Sequence, residues 1–355
     1  MKITSLLFGI FAGCISLPLA CAADYTWNGG NASWTDSGAW LLDGNAADWV
    51  NGSNALFQTG STLAVGSGIS ASGLLYEGVA VTLNGGSLTL AGNASGSNGG
   101  SATLSGTALT LNAADAEDAW TVRDTSLSGS STLTKTGNGT VTLSGTHTAN
   151  GTWNINEGTL VFTGARDITA GGKINIASGA VLDASGGRLF HAANYASNWE
   201  QPTITLNGGT LKLNQFGYNS ASLGCLQNNF YALKFSSGTT SRVVISQGYE
   251  SGGTGSRGIY IAGWGTTAVI ELGANQTFTW SSSNAQNFDS IVCESGAGSA
   301  LQLVVGENSV FNFDQKFANK NTANEYGAPT TSNFSGLSLI KSGSGELVVK
   351  RATTI

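Results

Sequence analysis

The stretch that decides the fold is residues 133–160, LTKTGNGTVTLSGTHTANGTWNINEGTL, where short apolar–polar alternations are separated by turns that contain glycine. Alternation with a period of two residues is typical of a β-strand that buries one face. It places Leu133, Val141 and Leu160 on the buried face and threonine or serine on the other. The stretch therefore predicts several short, half-buried strands.

The same phrase returns along most of the chain, for example at 84–90, 105–111 and 207–213. Apolar positions that look equivalent recur about every 25 residues, a spacing found in solenoids. The positions taken as equivalent are Leu88, Leu109, Leu133, Leu160, Val181 and Leu211. A propeller blade needs about 40 residues and four antiparallel strands, so these units are too short for one. The pattern predicts an all-β, single-domain, parallel and right-handed β-helix solenoid.

The composition agrees with a coiled sheet. Of 355 residues, 51 are glycine, only 3 are proline, and charged residues make up 10%. Glycine, serine, threonine and asparagine are poor helix formers, which excludes a helical bundle. The 9 Trp, 8 Tyr and 14 Phe indicate a packed core and exclude a disordered, low-complexity chain. In a β-helix, stacked aliphatic residues fill the interior and glycine or asparagine turns the corners.

The amino-terminal residues 1–22 have the features of a secretory signal peptide: a single charge at Lys2, an apolar run and a small-residue end. Cleavage after Ala22 satisfies the small-x-small rule, although residues 11–14 also loosely resemble a lipoprotein cleavage site. No later stretch has the roughly 20 uninterrupted apolar residues that a membrane helix needs. We therefore expect an exported chain whose mature part lacks a transmembrane segment.

The sequence divides after the signal peptide into a cap and a coil. Residues 23–60 form a tryptophan-rich amino-terminal cap, and residues 61–355 form the β-helix repeats. The tryptophans expected to plug the end of the coil are Trp27, Trp34 and Trp40. The simple repeat blurs around 188–264, where aromatic residues enter, and the unit at 337–355 is incomplete. The incomplete final unit has three possible interpretations: a truncated natural product, a fragment of a longer chain, or a short secreted form.

Three stretches carry a family resemblance. Residues 133–145 continuing to 151–160 have the order Leu-x-Lys-x-Gly-x-Gly, short strand, Ser-Gly, small loop and a glycine-bounded strand that ends in Gly-Thr-Leu. They resemble the autotransporter-associated β-strand repeat, and 339–349 resembles its opening. Residues 25–31, with the tryptophans that follow, are similar to the start of large exported proteins that bear these repeats. The resemblance implies a β-helical passenger region, displayed or secreted, of the kind linked to adhesion or envelope structure.

Signatures of catalysis or cofactor binding are missing from the sequence. The acidic residues are scattered along the chain. The tightest group, at 115–118, is interpreted as a solvated loop between rungs. Lys173, Asp183 and Arg188 could meet His191 on adjacent rungs, but nothing fixes their faces. His147 lies in the small loop of the repeat, which predicts a surface position. We therefore expect no catalytic residue, no metal and no cofactor, and a polysaccharide lyase or hydrolase is the least favoured alternative.

The aromatic segment at 188–264 supports one binding hypothesis. Exposed aromatic rings are good platforms for sugar rings, because they offer broad apolar faces at a small entropy cost. The residues proposed as glycan contacts are Tyr195, Trp199, Tyr218 and Trp264. The alternative is that these rings pack a longer excursion against the side of the coil.

Only Cys225 and Cys293 remain after signal removal, and they lie 68 positions apart. A disulfide needs Cα atoms within about 7 Å, and two residues several turns apart in a coil come that close only if a loop folds back. The two cysteines are therefore either one disulfide, as an oxidising compartment permits, or two separate buried thiols. The mature chain keeps 14 basic and 21 acidic side chains and has no basic run, which disfavours nucleic acid as a partner.

The sequence as a whole predicts an exported, non-catalytic protein of structural or adhesin type. It would lie at the cell surface, on the outer membrane or outside the cell. Its expected partners are envelope components, glycans or further copies of itself, and a carbohydrate-binding adhesin that uses the aromatic segment is the main alternative.

Overall fold

The architecture is a coil of short, parallel β-strands. The computed structural model describes residues 22–30, 32–166, 172–189, 203–214, 233–247, 259–261, 265–281, 290–293, 298–314, 316–319 and 337–350. Every regular element within these ranges is a strand, and all strand pairs except two at the amino terminus are parallel. The predicted all-β, parallel β-helix is therefore confirmed, and its right-handed sense stays a prediction.

The strands form three stacks, and each turn of the coil, or rung, adds one strand to each stack where all three are described. The first stack contains Asp24–Trp27, Ser53–Phe57, the second half of Ile69–Glu77, Ala94–Ser97, Ala119–Val122, Thr140–Leu143, Thr159–Phe162, Val181–Ala184, Thr210–Leu213, Thr240–Ile245, Thr267–Leu272, Ser299–Val305 and Leu337–Ser342.

The second and third stacks complete the rung. The second stack contains the first half of Ile69–Glu77, Ser87–Leu90, Ala108–Asn112, Thr132–Thr136, Trp153–Ile155, Lys173–Ile176, Thr203–Leu206, Leu233–Phe235, Ile259–Ile261, Ser290–Cys293 and Lys316–Asn319. The third stack contains Ser61–Ala64, Ala80–Asn84, Ser101–Ser105, Thr125–Ser128, Thr146–His147 and Ala165–Arg166, and Thr277–Ser281, Val310–Asp314 and Glu346–Val349 take its place in later rungs.

The core is a set of columns of inward-facing residues that run along the coil. In the second stack, Leu88, Leu109, Leu133, Trp153 and Ile174 lie in register on successive rungs, and all are buried. Burial of such aliphatic side chains is the main stabilising contribution, roughly 1.5–3 kcal/mol for each. The residues between them in sequence face outward, as the alternation predicts.

The structure corrects the equivalences drawn from the sequence. Leu160 and Leu211 belong to the first stack, whereas Leu88 belongs to the second. In the first stack the buried position is Leu182, and Val181 is only half-buried. From Leu88 to Ile204 the rungs of the second stack measure between 20 and 30 residues, so the length of a rung varies along the coil. The same glycine–leucine phrase follows more than one corner of the coil, so similar strands lie on different faces.

Threonine and serine are not confined to the outer faces. Thr107 and Ser131 are buried at the corner that leads from the third to the second stack. The Thr107 N–H donates to the Ser131 hydroxyl (3.0 Å), and that hydroxyl donates to the Leu104 carbonyl (3.0 Å). These hydroxyl groups satisfy backbone groups that would otherwise be buried without a partner, and so they join successive corners.

The amino-terminal end of the coil is closed by aromatic side chains, as predicted. Trp27, Trp34 and Trp40 are buried, with the Trp34 and Trp40 ring centroids 4.9 Å apart. An antiparallel hairpin, Trp40–Leu42 with Asn45–Ala47, lies beside the first strand. Because the rings cover the first rung, its apolar interior is shielded from water. The numerical boundaries of the signal peptide, cap and coil stay predictions.

Candidate functional site

The first feature of the repeat at 133–160 is a corner held by a buried lysine. Lys135 occupies an inward position of the second stack, in register with Leu111 and Ile155, and is fully buried. Its ammonium group donates to the carbonyl oxygens of Thr136 (2.9 Å), Gly137 (2.7 Å) and, on the next rung, Glu157 (3.3 Å). Burial lowers the pKa of Lys135, and the nearby Glu157 carboxylate opposes this shift.

The glycines of the repeat lie where one rung touches the next. A Cβ on Gly137 would lie 2.0 Å from the Ala113 carbonyl oxygen, and one on Gly139 would lie 2.5 Å from that of Asp115. Gly137 also has a positive φ of 74°. The Gly137 N–H donates to the Glu157 carboxylate (2.8 Å), so this acidic residue and the lysine bind the corner from two sides. The Lys-x-Gly-x-Gly spacing is therefore a requirement of close rung packing.

The second copy of the opening motif turns a different corner. Lys135 precedes the corner from the second stack to the first, whereas Lys341 precedes the corner from the first stack to the third. Lys341 is in register with the buried Leu303 and donates to the Gly343 carbonyl (2.6 Å). The motif thus specifies a corner of the coil and not a particular face.

The second feature of the repeat is a polar pair inside the core. The inward column of the third stack is aliphatic up to Leu127, and then His147 and Arg166 take the next two places. Both are fully buried. The Arg166 guanidinium carbon lies 4.6 Å from the centre of the Trp153 ring, and its Nη2 donates to the Gly151 carbonyl (2.8 Å).

The environment of His147 keeps its imidazole neutral. Its Nδ1 accepts a hydrogen bond from the Leu127 N–H (3.2 Å). The centroids of the Trp153 and Phe162 rings each lie 5.7 Å from the centroid of the imidazole. Burial lowers the pKa of His147 to about 4, with the Arg166 charge acting in the same direction and a backbone hydrogen bond at Ser144 opposing it. The predicted surface position of His147 is therefore wrong, because its loop runs along the third stack and turns the ring inward.

The third feature is the outer face of the second stack, which is the candidate binding surface. Its central column consists of neutral hydroxyl and amide side chains in register on six successive rungs. These residues are Thr89, Thr110, Thr134, Asn154, Asn175 and Thr205. The amides of Asn154 and Asn175 are hydrogen bonded to each other (2.8 Å). The column reaches its first charge at Lys234 on the next rung.

Charge appears in pairs on the first stack. Asp183 and Lys212 lie in register, with 3.5 Å between the Lys212 Nζ and the Asp183 Oδ2. Two rungs further along the coil, Arg242 forms an ion pair with Glu271. The first pair leaves Asp183 bound to Lys212 and to the Ser185 hydroxyl, whereas Lys173 lies on the second stack. The structure therefore does not bring Lys173 and Asp183 together. Within the described ranges no three His, Cys, Asp or Glu side chains are grouped as a metal site would require.

The predicted glycan contacts Tyr195, Trp199, Tyr218 and Trp264 lie outside the described residues, as does Cys225. Cys293 lies in a strand of the second stack, and the disulfide with Cys225 stays a prediction. In the part of the chain that the structure describes, no helix is long and apolar enough to cross a membrane.

Comparison with known proteins agrees with the geometry of the repeat. Residues 133–162 match the family described as Passenger-associated-transport-repeat. The chain is also 27% identical over 202 residues to the protein named "Adhesin BmaC autotransporter" of Brucella suis biovar 1 (strain 1330). That match covers 55% of this chain and 5% of the relative. No solved structure matches the chain.

The fold and the comparisons together define the class. The chain is a parallel β-helix that carries an autotransporter-associated repeat, and the resemblance found in the sequence is confirmed. The corner lysine, the close-packed glycines and the His147–Arg166 pair all fall within or next to the matched residues. The repeat is therefore a structural unit of the coil.

Proposed function

We propose that this chain is part of an exported, cell-surface passenger of adhesin type, in which the β-helix acts as a non-catalytic scaffold and presents a binding face. The observation that carries the proposal is the passenger-associated repeat at 133–162, supported by similarity to an autotransporter adhesin. In this account residues 1–22 direct export.

The outer face of the second stack supports an adhesive role. Its neutral hydroxyl and amide column offers hydrogen-bond donors and acceptors at the regular spacing of the rungs, about 4.8 Å. The column itself is neutral, with the single charge of Lys173 beside it on the rung of Asn175. Such a surface suits hydroxyl-rich ligands such as glycans, whereas nucleic acid and anionic membranes attract clustered positive charge. The proposed partner is therefore a glycan or another envelope component that can make many parallel hydrogen bonds.

The experiment compares attachment of beads that carry the chain from Ala23 onward to cultured host cells and to immobilised glycans. The test variant, Thr110→Glu with Thr134→Glu, introduces charge into the second-stack column. The matched control, Thr82→Glu with Thr103→Glu, alters an equally half-buried threonine pair on the third stack. The proposal predicts lower attachment for the test variant and unchanged attachment for the control, at equal thermal stability.

The carbohydrate-binding alternative places the site in the aromatic segment instead. Attachment that survives both threonine changes and is lost with Trp199→Ala and Trp264→Ala would favour that site. Attachment unaffected by all four variants would contradict a binding role for either surface. Turnover of a polysaccharide by the parent chain would contradict the non-catalytic assignment.

A further inference from the structure

Seven Asn-Gly pairs occur in the chain, and all of them lie in described residues. An asparagine followed by glycine is prone to spontaneous deamidation, because glycine has no side chain to hinder its amide nitrogen from reaching the preceding side chain. That reaction needs a free glycine N–H and a mobile asparagine amide. The seven pairs differ in both respects.

In four pairs the glycine N–H is held by a hydrogen bond to the next rung or to a neighbouring strand. The bonds are Gly52 to the Ser70 carbonyl (3.0 Å), Gly85 to the Ser105 carbonyl (2.9 Å), Gly139 to the Ala113 carbonyl (3.0 Å) and Gly208 to the Ser241 hydroxyl (2.8 Å). In a fifth pair the Asn28 side chain donates to the Gly38 carbonyl (3.3 Å). Contacts with an adjacent rung therefore protect four of the seven pairs, and a contact within the amino-terminal cap protects the fifth.

The remaining pairs are Asn98–Gly99 and Asn150–Gly151. In both, the asparagine is exposed, and neither its side chain nor the glycine N–H has a hydrogen-bond partner among the described residues. Asn98 and Gly99 have φ values of 51° and 81°, and the Gly100 N–H donates to the Ser97 carbonyl (2.8 Å), which defines a tight type I′ turn. A Cβ built on Gly99 meets nothing within 4 Å, so this corner is open to solvent.

We propose that Asn98 and Asn150 are sites of spontaneous deamidation in the folded, exported protein. The glycine amide nitrogen loses its proton to base and attacks the asparagine Cγ, forming an N–Cγ bond as the Cγ–Nδ2 bond breaks and ammonia leaves. Water then opens the resulting five-membered imide at either carbonyl, giving aspartate or isoaspartate. Each event consumes one water, releases one ammonia and adds one negative charge.

The two sites differ in their consequence. The Gly151 carbonyl accepts the hydrogen bond from Arg166, and the Gly151 backbone lies against Ser131 without room for a Cβ. Isoaspartate at 150 lengthens the main chain at this packed corner and so disturbs the buried Arg166, whereas Asn98 lies in an open turn. We therefore expect Asn98 to react faster and Asn150 to lower the stability of the coil once it has reacted.

The test is a time course of the unmodified chain at mildly alkaline pH, followed by peptide mapping and isoaspartate detection at all seven pairs. A hydrogen bond worth about 1 kcal/mol corresponds to about a fivefold lower rate. The expected result is that Asn98 reacts at least about fivefold faster than Asn84 and Asn138. The rate at Asn150 should lie between the rate at Asn98 and the rates at those two protected sites. The matched control is the same chain in urea, where the seven rates should converge.

Three results would overturn the proposal. One is equal rates at Asn98 and Asn84 in the folded chain. Another is the same ranking of sites in urea, which would assign the difference to sequence and not to structure. The third is no reaction at Asn98 over a period in which the unfolded chain reacts fully.

Discussion

The ammonium nitrogen of Lys135 lies 2.7 Å from the carbonyl oxygen of Gly137, the residue at which the chain turns from the second stack to the first. The lysine thereby satisfies carbonyl groups that the corner turns away from their strand partners. A charged donor placed in an apolar column is stable only with such partners, because an unpaired buried charge is strongly unfavourable.

Replacing Lys135 by methionine keeps an unbranched side chain that is one atom shorter, and it removes the three hydrogen bonds of the ammonium group. We expect Lys135→Met to lower the free energy of unfolding by about 2 kcal/mol, since hydrogen bonds to charged groups contribute about 1.5–3 kcal/mol. Thermal unfolding measured by circular dichroism tests this. Lys341→Met is the matched control, because Lys341 is exposed and has one carbonyl contact among the described residues. An equal loss in both variants would contradict the role of the corner.

The close approach of rungs at Gly137 gives a second prediction. Gly137 and Gly179 have similar φ values, 74° and 77°, but a Cβ would lie 2.0 Å from the Ala113 carbonyl oxygen at Gly137 and meet nothing within 4 Å at Gly179. Gly179→Ala should cost about 1 kcal/mol for backbone strain alone, and Gly137→Ala clearly more because the rungs must separate. Chemical denaturation measures both. Similar losses would show that rung contact at Gly137 is unimportant.

The neutral His147 gives a pH dependence. Its pKa is about 4 in the folded chain and close to 6.5 when unfolded, so the unfolded state binds the proton first as the pH falls. The contribution of the neutral imidazole to the free energy of unfolding is therefore complete above about pH 6.5. It is lost as the pH falls towards 4, by about 3 kcal/mol in total. His147→Asn, which keeps an acceptor for the Leu127 N–H, should flatten this part of the stability curve. Parallel curves for parent and variant from pH 7 to about 4 would contradict the assignment.

The Arg166–Trp153 contact gives a prediction about side-chain shape. Arg166→Lys keeps the charge but loses the planar group that stacks on the ring, so it should destabilise the coil. Arg166→Ala should be worse, about 3 kcal/mol, because it also leaves a cavity. The control, Arg242→Ala, removes an exposed ion pair and should cost at most about 1 kcal/mol. An Arg166→Ala variant as stable as that control would refute a structural role for the buried guanidinium.

The fold could be predicted from the sequence because period-two alternation and glycine spacing report directly on strands and corners. Leu133, Val141 and Leu160, for instance, are buried as expected. The assignment of strands to faces could not be predicted, since the phrase around Leu88 and that around Leu160 look alike. Face depends on how many corners separate two strands, which only the three-dimensional path reveals.

The burial of Lys135, His147 and Arg166 is not predicted from the sequence, because sequence patterns assign charged residues to the surface. Lys135 does stand two residues after Leu133, on the apolar side of the alternation, and this was the available signal. His147 and Arg166 lie in strands of two residues, too short for a period to be read. Their burial follows from the stacking of one rung on the next, which is a long-range contact.

The central claim, a parallel coil whose repeat stacks rung on rung, is tested most directly by disulfide cross-linking in a chain with Cys225 and Cys293 changed to serine. Thr110 and Thr134 are parallel partners on adjacent rungs, whereas Thr142 follows Thr134 on a different face. The account predicts that Thr110→Cys with Thr134→Cys forms a disulfide under mild oxidation and that Thr134→Cys with Thr142→Cys does not. A disulfide in the second pair and none in the first would indicate consecutive antiparallel hairpins and would contradict the coil.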